Sequence, residues 1–165
     1  MLAPERGVSL LETMVALAVW LTALLALAGA QGRSLQHARE AELRGRIDAA
    51  VENLASAIQA RPDSHWVHYV EAGYADHASP QDCPAQCDPA QRAAADLSRF
   101  KQSLRRSGGM AERISGAVCR GDVKKLPTAA SPGCGGSGPL AIRVAWRSRQ
   151  GRGWQEHADV WPLLP

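Results

Sequence analysis

"ERGVSLLETMVALAVWLTALLALAGAQGR", residues 5–33, decides how the rest of the chain is read. From Thr13 to Gly32 it holds twenty consecutive residues without a charge. At a rise of about 1.5 Å per residue, such a run spans about 30 Å as a helix, the thickness of a bilayer core. Its Leu, Ala, Val and Met residues are good helix formers. Glu12 stands at the edge of the run, where an ionisable group is expensive and asks for a partner. Ser9-Leu10-Leu11-Glu12 is also an S-x-x-E capping box, and a first-turn carboxylate offsets the helix macrodipole. Capping accounts for Ser9 and Glu12 but leaves Arg6-Gly7, immediately before them, unexplained.

The helical pattern continues past Gly32. Leu43, Ile47, Val51, Leu54 and Ile58 follow at spacings of 4, 4, 3 and 4, with Ala50 and Ala57 alongside, which makes one apolar stripe. Glu40 with Arg44 and Glu42 with Arg46 stand at i, i+4 in the favourable order. Arg61-Pro62 ends the pattern, because a residue before proline is pushed out of the α region. The expectation is one helix over 8–61, roughly 80 Å long at 1.5 Å per residue. Its membrane half covers about 8–32 and its amphipathic half packs on a domain. Gly29, Gly32 and Gly45 are candidate bend points, each costing up to about 1 kcal/mol relative to Ala.

The totals suit this division. The 165 residues allow one domain plus an appended segment. Net charge is +3, and the densest basic spots are the pairs Arg105-Arg106 and Lys124-Lys125. A nucleic-acid binder shows a basic stripe interleaved with aromatics, and no such stripe is present. Cys83, Cys87, Cys119 and Cys134 all lie beyond the apolar run. An even count in a loop-rich region suits an oxidising compartment and two disulfides. Three pairings are possible. Cys83 with Cys87 and Cys119 with Cys134 is favoured, since each pair brackets a short loop. A four-thiolate zinc site is the rival, but paired C-x(2-4)-C spacing fits only Cys83 and Cys87. No metal is therefore expected.

Residues 62–87 show no sustained period and read as an irregular connector in which Trp66, Tyr69 and Tyr74 cover core surface. His65 and His68 lack acidic or thiolate partners in a recognisable motif. A second helix is well marked. Asp88 is its N-cap, Pro89 sits at N1 and Gln91 at N3 completes a capping box. Ala93, Leu97, Phe100 and Leu104 form its buried face, Arg105 and Arg106 suit its C-terminal end, and Gly108-Gly109 stops it. Strand signals follow. Ile114, Gly116 and Val118 alternate, and "LAIRVAWRS" places Leu140, Ile142, Val144 and Trp146 on one face with Arg143 and Arg147 on the other. "RQGRG" reads as a turn and "WQEHADVW" as the returning strand. "SPGCGGSG", residues 131–138, lacks the arrangement of a phosphate loop and reads as a loop closed by a disulfide. No nucleophile, base and oxyanion set can be assembled, and His37, His65, His68, His77 and His157 have no convincing partners. The chain is not expected to be an enzyme, and no cofactor is implied.

The N-terminus resembles the class III signal of type IV pilins and pseudopilins. It has a short charged leader ending in Arg6, then Gly7, then an apolar helix with Glu12 at its fifth position. The resemblance implies that prepilin peptidase cuts between Gly7 and Val8, removing leader 1–7 and methylating Val8. It also implies that Glu12 meets the terminal amine of a staggered neighbouring subunit and so sets register. Val8 departs from the usual Phe, as minor pilins tolerate. "CDPAQRAAADLSRFKQSLRRSGG" is similar to a segment of PilV-like minor pilins, with Phe100 where Trp is frequent. The implied fold is α+β and pilin-like: the long N-terminal helix packed on a small C-terminal antiparallel sheet with one extra helix, residues 62–165 forming a periplasmic head. The implied partners are prepilin peptidase, other minor pilins, the major pilin and an inner-membrane assembly platform. The protein would wait as a single-pass inner-membrane subunit and pass into a pilus, taking part in its initiation or tip.

Two other readings share parts of this sequence. A type II secretion pseudopilin has the same N-terminus. A soluble exported protein would follow from signal cleavage at Ala28-Gly29-Ala30, releasing Gln31. The apolar run is long for such a signal, and Glu5 and Glu12 do not suit a positive leader. Arg33, Arg39, Arg44 and Arg46, beyond the span, would by the positive-inside rule sit in the cytoplasm. The cysteines suit an oxidising side and the pilin resemblance implies an N-in, C-out orientation, so the opposite placement is expected.

Overall fold

The computed structural model describes residues 10–83, 86–108, 111–150 and 153–163. The chain forms α1 (Leu10–Gln59), a 3-10 helix (Asp63–Tyr69), α2 (Pro89–Ser107) and three strands, β1 (Ala111–Arg120), β2 (Leu140–Gln150) and β3 (Gly153–Pro162). The strands make one antiparallel sheet in the order β1-β2-β3. A long N-terminal apolar helix, one further helix and a small antiparallel sheet constitute the expected α+β, pilin-like architecture. The leader 1–7, with Gly7, and also Val8 and Ser9 lie outside the described residues.

The chain divides into two compact units, Met1–Arg39 and Glu40–Pro165. In the first, α1 passes through Gly29 and Gly32 without a break, and every described residue up to Arg39 is exposed. The segment is long and apolar enough to cross a membrane.

In the second unit the stripe read from periodicity is the buried face of α1: Leu43, Ile47, Ala50, Val51, Leu54 and Ile58. Trp66 and Tyr69 of the 3-10 helix join it, as do Ala93, Leu97, Phe100 and Leu104 of α2. Val118, Ile142, Val144 and Trp146 complete the core from the sheet. Period 2 puts the last three on one face of β2. Gly116, opposite Val144, lets α2 come close, since a Cβ there would lie 2.6 Å from Leu104 Cδ1 and 2.8 Å from Phe100 Cε1.

The second helix starts as its sequence dictates. Asp88 accepts from the Gln91 amide at 2.7 Å, and Gln91 Oε1 accepts from the Asp88 amide at 3.2 Å. The capping box is complete. Its C-cap Gly108 has φ −72°, so the stop does not use glycine's left-handed freedom; Gly109 lies outside the described residues. Strand pairing between β2 and β3 runs to Gln150 opposite Gly153, with 151–152 of the turn outside the described residues. Disulfides join Cys83 to Cys87 and Cys119 to Cys134, with Cα atoms 5.6 and 5.7 Å apart.

Two expectations need correction. The connector 62–87 is not irregular throughout: Asp63–Tyr69 is a 3-10 helix, and Asp76 Oδ2 accepts from the Ala72 and Gly73 amides to close a turn. The face of β2 opposite the core is not simply polar either. Arg143 is fully buried, along with Ala141 and Ala145 beside it. The glycine-rich stretch is therefore more than a disulfide-closed loop, because its neighbourhood is organised around a buried cation.

Candidate functional site

Of the residues to which the pilin resemblance assigns roles, Gly7 and Val8 lie outside the described residues, and Glu12 is at the start of α1. Glu12 lies in its first turn and is exposed. Around it Leu10 is 79% exposed, Leu11 73% and Met14 64%. Large apolar side chains remain exposed along Val15, Leu17, Trp20, Leu24 and Leu27. Such a continuous apolar surface in a single chain marks a membrane or protein contact. Thr13 and Thr22 return their hydroxyls to the carbonyls of Leu10 and Val19, both at 2.8 Å, so they add no free polar group to the helix surface.

The head domain holds a buried polar cluster that local sequence reading missed. Glu71 has a fully buried side chain, and Lys101 on α2 is 5% exposed. Lys101 Nζ lies 2.6 Å from Glu71 Oε1 and donates also to the carbonyls of Tyr74, at 3.1 Å, and Asp76. Glu71 Oε2 accepts from the Val118 amide at 3.0 Å, and His77 Nδ1 stands 3.3 Å from Oε1. Burial pushes the Glu71 carboxyl above its ordinary range, against the opposing pull of Lys101, Val118 and His77. His77 itself has φ 50°, a left-handed turn conformation. The cluster staples the connector, α2 and β1 together, which is a structural task.

Arg143 organises a second cluster. Its Nη1 donates to the carbonyl of Lys125 at 2.9 Å and to that of Pro132 at 3.4 Å, and its Nη2 donates to Asp122 O at 2.9 Å. One planar guanidinium thus holds three points of the 121–138 loop, while its Nε is buried without a partner among the described residues. Gly121 is needed here, because a Cβ would lie 2.8 Å from Arg143 Nη2. The Cys119–Cys134 disulfide closes the same loop onto β1.

Four of the five histidines fall into two groups, and His37 is exposed on α1 outside both. His65 and His68 face each other with ring centroids 6.5 Å apart. His77 has Glu71, and His157 has Ser148 Oγ at 3.0 Å, Glu40 at 4.0 Å and the stacked ring of Trp146 at 5.5 Å. The expectation that these two lack partners is corrected: the turn after Glu71 returns His77 to it, and the β2–β3 pairing sets His157 beside Ser148 and Trp146. Arg44 lies over the same Trp146 ring at 5.7 Å, and Arg46 pairs with Glu42 at 2.6 Å. Among the described residues no three His, Cys, Asp or Glu side chains gather as a metal site. Compared with protein-family models, curated proteins and solved structures, the chain matches none.

Proposed function

We propose that this chain is a minor type IV pilin of the PilV-like kind, a structural subunit rather than an enzyme. Prepilin peptidase would cut between Gly7 and Val8 and methylate Val8. The product would wait in the inner membrane with residues 62–165 in the periplasm, then join other minor pilins and the major pilin on the assembly platform. What supports the reading most is the pairing of an exposed helical segment, uncharged from Thr13 to Gly32, with a carboxylate in its first turn. In hydrocarbon an unpaired carboxylate is costly, and a carboxylate–ammonium pair is far less so. A staggered neighbour's amine at Glu12 therefore rewards one register over all others.

The length of the uncharged run and the acidic Glu5 and Glu12 support retention of this segment over release at Gln31. Glu12→Ala tests the assembly role. The variant is expected in the membrane fraction at normal abundance, with both disulfides intact, and absent from sheared filaments. Normal entry into filaments would contradict the role given to the carboxylate.

A further inference from the structure

The outer edge of β1 opens into a cleft of about 980 Å³ between α2, the 72–78 turn and the 129–132 loop. Glu71 N donates to Val118 O at 2.7 Å, and Val118 N donates to the Glu71 carboxylate, so the Val118 backbone faces away from β2. The two-residue period of an antiparallel strand puts the N–H and C=O groups of Gly116 and Ile114 on that same edge. Both residues line the cleft, and among the described residues neither edge finds a hydrogen-bond partner. An open edge of this kind is a template for another strand. The chain itself uses the adjacent position in this way, with Glu71 bonded to Val118 through its backbone.

The walls specify what fits. Ala72, Gly73, Ala78 and Ala130 are small, leaving width for a peptide backbone. Arg105 and Arg113 line the cleft, and neither has an ion pair among the described residues. Lys101 is already engaged by Glu71, and no described carboxylate lines the space. We infer that this cleft receives an extended acidic segment of a partner protein as an added strand on β1. The segment's backbone bonds to Ile114 and Gly116, and one of its carboxylates is held between Arg105 and Arg113. Main-chain bonds supply affinity and the arginines supply selection. The inference is independent of the assembly reading, since it concerns the head domain alone.

The test uses the full chain in detergent micelles and a blocked octapeptide of alternating Glu and Val, with its Lys-Val counterpart as control. The Glu peptide is expected to bind at least about tenfold more tightly than the Lys peptide. It should also slow amide exchange at Ile114 and Gly116 by about tenfold or more. Arg105→Glu with Arg113→Glu, both exposed-side changes, should reverse the preference. Ile114→Pro removes the outward N–H while sparing the ladder to β2 and should weaken binding about tenfold. Should that variant fail to fold, the charge reversal and the exchange measurement still decide. No binding, binding without slowed exchange at these two amides, or an unchanged preference in the reversed variant would each overturn the proposal.

Discussion

Glu71 and Val118 hold each other twice, the Glu71 amide donating to the Val118 carbonyl at 2.7 Å and the Val118 amide donating to Glu71 Oε2 at 3.0 Å. One residue of the connector thus supplies both a backbone and a side-chain partner to the free edge of the sheet. Its second carboxylate oxygen is left for Lys101, 2.6 Å away on α2. The three elements are locked by a carboxylate that is useful only while its cation is present.

Lys101→Met should therefore be severe. Removing one partner of a buried pair leaves the other charge uncompensated, which costs about 3–5 kcal/mol. Glu71→Gln combined with Lys101→Met should return most of that loss, to within about 2 kcal/mol of the parent, because a neutral amide keeps a bond to Val118. Chemical denaturation of the three proteins checks this. Equal losses in the single and double variants would contradict the expected rescue.

Arg143→Met keeps the volume of the side chain but strips three loop carbonyls of their donor. We expect a loss of about 3 kcal/mol from the lost charge-assisted bonds. The 121–138 loop should loosen, so that trypsin cuts faster after Lys124 and Lys125, whose side chains are already exposed, while the disulfide keeps the fragments joined. Mass spectrometry of a short digest, before and after reduction, reads this directly. A variant as resistant as the parent would mean that the disulfide alone holds the loop.

Alkali should find a different weak point. Burial and the Asp96 carboxylate, 2.8 Å from its hydroxyl, push the Tyr69 phenol up to about 12. The folded protein then holds this proton more tightly than the unfolded chain. The resulting stability is complete below pH 10 and is lost as pH rises from 10 towards 12. For a residue 1% exposed, a displacement of this size amounts to about 3 kcal/mol. Tyr74 is raised to about 12 as well, chiefly by burial. Tyr69→Phe should cost about 1 kcal/mol at neutral pH and flatten the alkaline decline. Stability measured against pH in both proteins tests it, and identical slopes above pH 10 would refute it.

The elements that repeat a short period were readable from sequence. Leu43 to Ile58 recurs at helical spacing, Leu140 to Trp146 alternates, and Asp88 to Gln91 carries its own cap, so each announces itself locally. The buried ions did not. Glu71 and Lys101 are 30 residues apart, and Arg143 lies 21 residues from the Asp122 carbonyl that it binds. Charged residues are almost never fully buried unless paired, so a local reading places Arg143 outside. The 3-10 helix at Asp63–Tyr69 escaped because its shorter repeat leaves no amphipathic stripe over seven residues. Glu12 was conspicuous in the sequence for the opposite reason, as a charge at the edge of a run that has no others.

The central claim concerns what remains of the N-terminus after processing. Intact mass and N-terminal sequencing of protein purified from cells with an active prepilin peptidase measure it most directly. The account predicts a chain beginning at Val8 and carrying one methyl group on its terminal amine. A chain that still begins at Met1, or one that begins at Gln31, would contradict it.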